Sequence, residues 1–148
     1  MRTLTERLEG YAPTLLRVMA GITFFFHGWS KLQNPNGFIG FVGSLGFPIP
    51  VFFGWLVILL ESVGGLLLIL GLGVRWVSLL LAVEMVFTTL LVKSRIGLIA
   101  PSGQPGVGAE IDLMLLAAML ALFILGAGEL SLERIFIGQR PEMERKTA

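Results

Sequence analysis

The chain has 148 residues, 55% hydrophobic and only 14% charged, with a formal net charge of +1 at pH 7 and a mean hydropathy of +0.85. A soluble domain cannot hide that much apolar surface, so the composition predicts an integral membrane protein. Its near-zero charge, with basic residues beside acidic ones, excludes a nucleic-acid surface, and its lack of cysteine excludes disulfides, a thiol nucleophile, an iron–sulfur cluster and a structural zinc site of the usual kind.

Apolar runs at about 11–32, 50–70, 74–92 and 108–125 predict four transmembrane helices. A single all-α domain over 1–148 follows, an integral membrane four-helix bundle with a charged tail at 129–148. In the first run, "GITFFFHGWSKL" carries the chain's one histidine, His27, and Lys31 one turn later. A haem held by two histidines of this chain is therefore excluded. No small-residue cleavage site follows the run, so it reads as an uncleaved span. At about 100° per residue, Arg17, His27 and Lys31 share a sector of roughly 80°, with Gly21, Phe24 and Gly28 on or near that face.

The loop 33–49 carries Gly37, Gly40, Gly43 and Gly46 at every third residue, with Asn34-Pro35 as a helix start and Gly46-Phe47-Pro48 as a stop. Two readings fit it equally: a short helix in the outer interface, or a flexible glycine-rich loop. The second run places Glu61 near mid-membrane and adds Gly64, Gly65 and Gly71, small residues that let helices pack closely. The third places Glu84 at a similar depth, and the fourth opens with Glu110 and Asp112.

A charge near the bilayer centre costs at least about 2.5–3.5 kcal/mol, so these groups are expected to face protein or a water-filled space. The expected pairs are Arg17 with Glu61 or Glu84, and His27 or Lys31 with Glu110 or Asp112. Snorkelling of Lys31 or Arg17, and a macrodipole preference for acids opening the fourth helix, are the structural alternatives. Arg17, His27, Lys31, Glu61, Glu84 and Glu110 are thus the candidates for ligand contact or proton relay. A metal site built on His27, Glu61 and Glu110 is disfavoured by the single histidine. Arg2, Arg7, Arg75, Arg134, Arg140, Arg145 and Lys146 outnumber Lys31, Lys93 and Arg95 across the predicted membrane, which places both termini in the cytoplasm. Trp29 and Trp55 then mark the outer interface, Tyr11 and Trp76 the inner.

The ordered set "LLRVMAGITFFFHGWSKL", "LLESVGGLLLILGLGVRW", "GVGAEIDLMLL" and "GAGELSLER" resembles the DoxX family of small four-helix membrane proteins, over about residues 12 to 134. The family pattern falls on Arg17, His27, Gly28, Lys31, Glu61, Gly64, Gly65, Gly71, Arg75, Gly108 and Glu110; Glu84 has no counterpart in it. The resemblance implies association with quinone-linked redox systems, in which relatives form the membrane subunit of thiosulfate:quinone oxidoreductase. Expected from it are an inner-membrane location, a quinone or lipid-like molecule held in the bundle, and a partner oxidoreductase subunit that supplies electrons. Pairing of two protomers through the glycine faces is a further expectation. The alternative function is a scaffold, receptor or small-molecule transporter that docks partner proteins.

Overall fold

A computed structural model describes residues 9–102 and 107–137. The orientation argument from Arg2, Arg7, Arg140, Arg145 and Lys146, and the tail beyond 137, fall outside the described residues. Within them the chain is helical and contains no strand: α1 Ala12–Gln33, α2 Pro35–Ser44, α3 Pro50–Leu70, α4 Val74–Leu91, α5 Glu110–Leu125 and α6 Leu132–Ile137. Short 3-10 turns at Glu9–Tyr11 and Lys93–Arg95 precede α1 and follow α4.

The sequence marks where each helix begins and ends. Asn34 does both jobs between α1 and α2. Its N–H donates to Lys31 O at 3.1 Å, and its side chain accepts from Gly37 N at 3.0 Å with Pro35 opening the new helix. The glycine-rich loop is therefore a helix after all. Its glycine stripe is weak in propensity, but the Asn-Pro start and the packing of Ile39 on Gly54 hold it against α3. Gly71 ends α3 in the left-handed conformation (φ 73°), its N–H returned to Leu67 O at 2.8 Å. The turn is so tight that α4 begins three residues later. The start of α5 is closed from the preceding loop: Ala109 and Glu110 donate to the carbonyls of Gly97 and Leu98 at 3.0 and 3.1 Å.

The four long helices alternate in direction, and each packs against two others, α1 and α4 both contacting α3 and α5. α1 lies closest to α3. A Cβ at Gly28 would stand 2.5 Å from Ser62 N, and one at Gly65 would stand 2.5 Å from Phe25 N, so these backbones meet where no side chain fits. Gly64 faces α4 more loosely, at 3.3 Å from Val77. Below this contact lies an apolar core of Phe24, Leu68, Leu81, Met119 and Leu122, each nearly or fully buried.

Large apolar side chains cover the outside of every long helix, among them Met19, Phe26, Leu59, Val63, Val83, Phe87 and Met114. Hydroxyls on the helices turn back to their own backbone, Thr23 to Met19 O at 3.0 Å and Thr88 to Glu84 O at 2.9 Å. Two stretches are long and apolar enough to cross a membrane: Pro50–Leu70, and Val74–Arg95, which runs through α4 into the following turn. α1 is as long but carries Arg17, His27 and Lys31, and α5 has 16 residues.

Candidate functional site

The polar stripe of α1 divides into two unrelated environments. Arg17, near the end where Glu9–Tyr11 and α6 lie, is 2% exposed and donates only to backbone oxygens. Nε reaches Ala127 O at 2.8 Å and Nη1 reaches Leu68 O at 2.7 Å, with further donations to Ile69 O and Leu130 O. The expected pair with Glu61 or Glu84 is not formed. Glu61 precedes Leu68 by seven residues, about 10 Å along the helix axis. The carbonyls ending α3 and following α5 offer a guanidinium the fork of acceptors it needs, along with the negative end of a helix dipole.

Lys31, at the opposite end, pairs with Glu61 and not with Glu110 or Asp112; the two side chains are 20% and 5% exposed. α3 extends well past the level of Gly28, and the long lysine stem bends along it to reach a carboxylate inside the protein. α2 closes the pair from above, with the ring of Phe38 centred 5.1 Å from Lys31 Nζ. Glu84 of α4 lies beside Glu61, and its Oε2 is buried without a donor. A proton held between two neighbouring buried carboxyls relieves the repulsion of like charges.

A second group of acids opens α5. Asp112 is 7% exposed, and its Oδ2 has no donor; Glu110 Oε2 is likewise buried and unpartnered. His27, Lys93, Glu110 and Glu61 all lie within electrostatic reach of Asp112. His27 itself is exposed on α1. It continues the stripe of Leu16, Met19, Ala20 and Thr23, which with Ile111, Met114, Leu115 and Ala118 of α5 lines an open groove of about 370 Å³. The structure thus brings Lys31, Glu61 and Glu84 together, sets His27, Glu110 and Asp112 nearby on the α1/α5 side, and leaves Arg17 apart. Gly28 admits the close approach of Ser62 beside Glu61, and Gly71 admits the Arg17 guanidinium, whose Cζ would stand 2.9 Å from a Cβ there. Among the described residues, no three His, Asp or Glu side chains are grouped to hold a metal ion.

The sequence did not single out Phe38 as a partner of Lys31; its one signal is its place in the first turn after Asn34-Pro35. The carbonyls that hold Arg17 carry no side-chain signature at all.

Residues 12–94 match the family model described as DoxX. The "Putative oxidoreductase CatD" of Bacillus subtilis (strain 168) is 36% identical over 128 residues, which cover 85% of this chain and 88% of that one. The "Uncharacterized membrane protein Rv3486" of Mycobacterium tuberculosis is 31% identical, over 80% of this chain and 77% of its own. The "Inner membrane protein YqjF" of Escherichia coli is 28% identical, over 88% and 95%. No solved structure matches the chain. With the family match running from the start of α1 through α4, and with relatives of this identity aligned over most of both chains, the protein belongs to the DoxX family of membrane proteins.

Proposed function

We propose that α1, α3, α4 and α5 form a four-helix bundle in the inner membrane, both termini cytoplasmic, that serves as the membrane subunit of a quinone-linked oxidoreductase. The observation that carries this reading is the buried Lys31–Glu61–Glu84 cluster, in a protein that also carries an open apolar groove between α1 and α5. A lipid-soluble quinone needs an apolar slot for its tail, hydrogen-bonding groups at its carbonyls and a source of protons. The residues present fit those needs. Leu16, Met19, Leu115 and Ala118 offer the slot, and His27, one turn beyond Thr23, stands at its polar end near Asp112.

When bound, a quinone would supply a couple that takes two electrons and two protons. The chain's own part is to hold and deliver protons: Glu61 and Glu84 share one, Lys31 fixes Glu61 in place, and the Phe38 ring holds the Lys31 ammonium. With no cysteine and a single histidine, this chain holds neither an iron–sulfur cluster nor a haem between two of its own histidines, and in this reading electrons come from a partner reductant. The oxidoreductase in a relative's name is consistent with such a system.

The test uses the full chain in lipid nanodiscs, titrated with a short-chain ubiquinone and a short-chain menaquinone. One of them is expected to bind saturably, more weakly when Leu115→Trp fills the groove. With the co-purifying oxidoreductase added, Glu84→Gln is expected to lower quinone-reductase turnover at least tenfold while binding persists. If neither quinone binds and the chain does not alter the partner's quinone-reductase rate, the reading fails.

A further inference from the structure

We infer that the Glu61–Glu84 pair exchanges protons only with the side of the membrane on which α2 lies, and is insulated from the side that carries the chain termini. The inference rests on the reading of this pair as the site's proton donor, and it adds the direction from which protons come.

Towards α2, polarity is continuous. Glu84 meets Glu61, Glu61 meets Lys31, and the Lys31 side chain is 20% exposed just beneath Phe38. From α5, Asp112 and Glu110 face the same end, each with a buried oxygen lacking a donor, and His27 of α1 and Lys93 beyond α4 lie near Asp112.

Towards the termini, the chain changes character within two turns. Phe24 of α1, Leu68 of α3, Leu81 of α4, and Met119 and Leu122 of α5 are 0–1% exposed and form one contiguous apolar layer, with a residue from each of the four helices. Ser78 is the polar side chain lodged at this depth. Its hydroxyl has no partner and lies six residues from Glu84, about 9 Å along the helix and too far for a hydrogen bond. Beyond the layer, the Arg17 guanidinium is spent on four backbone carbonyls and contacts no acid. Among the described residues, the carboxyls on that side, Glu9, Glu129 and Glu133, lie at or near the surface, Glu129 paired with Arg134, and no carboxyl stands between Arg17 and the apolar layer.

The step itself is an acid–base exchange. The shared proton leaves the Glu61–Glu84 pair, the O–H bond breaking with its electron pair left on the carboxylate, and a proton from water on the α2 side replaces it. No oxidant or reductant is involved.

The experiment reconstitutes the full chain in vesicles, with sidedness fixed by the accessibility of an amino-terminal epitope tag. A pH step is imposed on one face with an impermeant buffer, and the carboxyl C=O stretch is followed by difference infrared spectroscopy before the gradient collapses. The expected result is a carboxyl band that responds at least tenfold faster to a step on the α2 face than on the termini face. The band is expected to vanish in Glu84→Gln and to persist in Asp112→Asn and Glu110→Gln. A faster response from the termini face, equal responses, or no band from either face overturns the inference. Because no quinone is present, a failed quinone titration leaves this result standing, and the reverse also holds.

Discussion

At the scale of single residues, two cations of α1 are satisfied in different ways, and each makes a separate prediction. Lys31→Met strands Glu61 in a largely buried position. The expected loss lies at the low end of about 3–5 kcal/mol because the lysine is partly exposed, and the Lys31→Met/Glu61→Leu double variant recovers most of it. Thermal melts of the four proteins in one detergent read the cycle; a double variant no better than the single would show that the pair is not what the melt senses. Arg17→Lys keeps the charge but loses the planar fork. A lysine with three donors cannot reach the carbonyls of Leu68, Ile69, Ala127 and Leu130 together. The variant is expected to lose at least about 1.5–3 kcal/mol, and limited proteolysis should cut first between Gly126 and Ser131. The sequence identified both cations as groups that need protein around them, because membrane cost depends on residue type and depth alone. It misassigned their partners for a physical reason. Arg17 chose main-chain oxygens, which every residue possesses, and Lys31 chose by the offset between α1 and α3, which no single-helix projection contains.

At the scale of elements, the glycines divide by what surrounds them. Gly65→Ala would place a methyl group 2.5 Å from Phe25 N and 2.8 Å from Gly21 O, against rigid backbone. The expected cost is about 1–3 kcal/mol of overpacking, seen as a lowered melting temperature. Gly40→Ala, on the open face of α2 with nothing within 4 Å of the new methyl group, is expected to gain up to about 1 kcal/mol of helix propensity. A comparable loss at both positions would mean that the α1–α3 seam is looser than its geometry states. Helix limits were legible to within one or two residues, since Pro35, Pro50 and Gly71 act locally. The state of the 33–49 segment was not, because propensity disfavours a glycine-rich helix while the docking of Ile39 against Gly54, a tertiary contact, decides it.

At the scale of the whole molecule, the apolar exterior and the alternating helix directions set which loops share a side. The chain contains no cysteine, so single thiols can be placed without removing any. Ser44→Cys at the end of α2 is expected to react with an impermeant maleimide on spheroplasts, and Leu130→Cys, exposed between α5 and α6, only after permeabilisation. Labelling of both from the same side would contradict four crossings. Composition made the membrane class plain from the outset, and the apolar runs suggested four spans; α3 and α4 are long and apolar enough to cross a membrane, whereas α1 carries polar residues and α5 is short, and these two pack on α3 and α4. Arg17 has one more consequence, which concerns synthesis. It is made 110 and 113 residues before two of the oxygens that hold it, on Ala127 and Leu130. At about 5–20 residues per second, the first helix waits on the order of ten seconds with an arginine only part-satisfied. A chain that stops after Leu125 never closes that interval, and it should be recognised and degraded by membrane quality control although all four long helices are present.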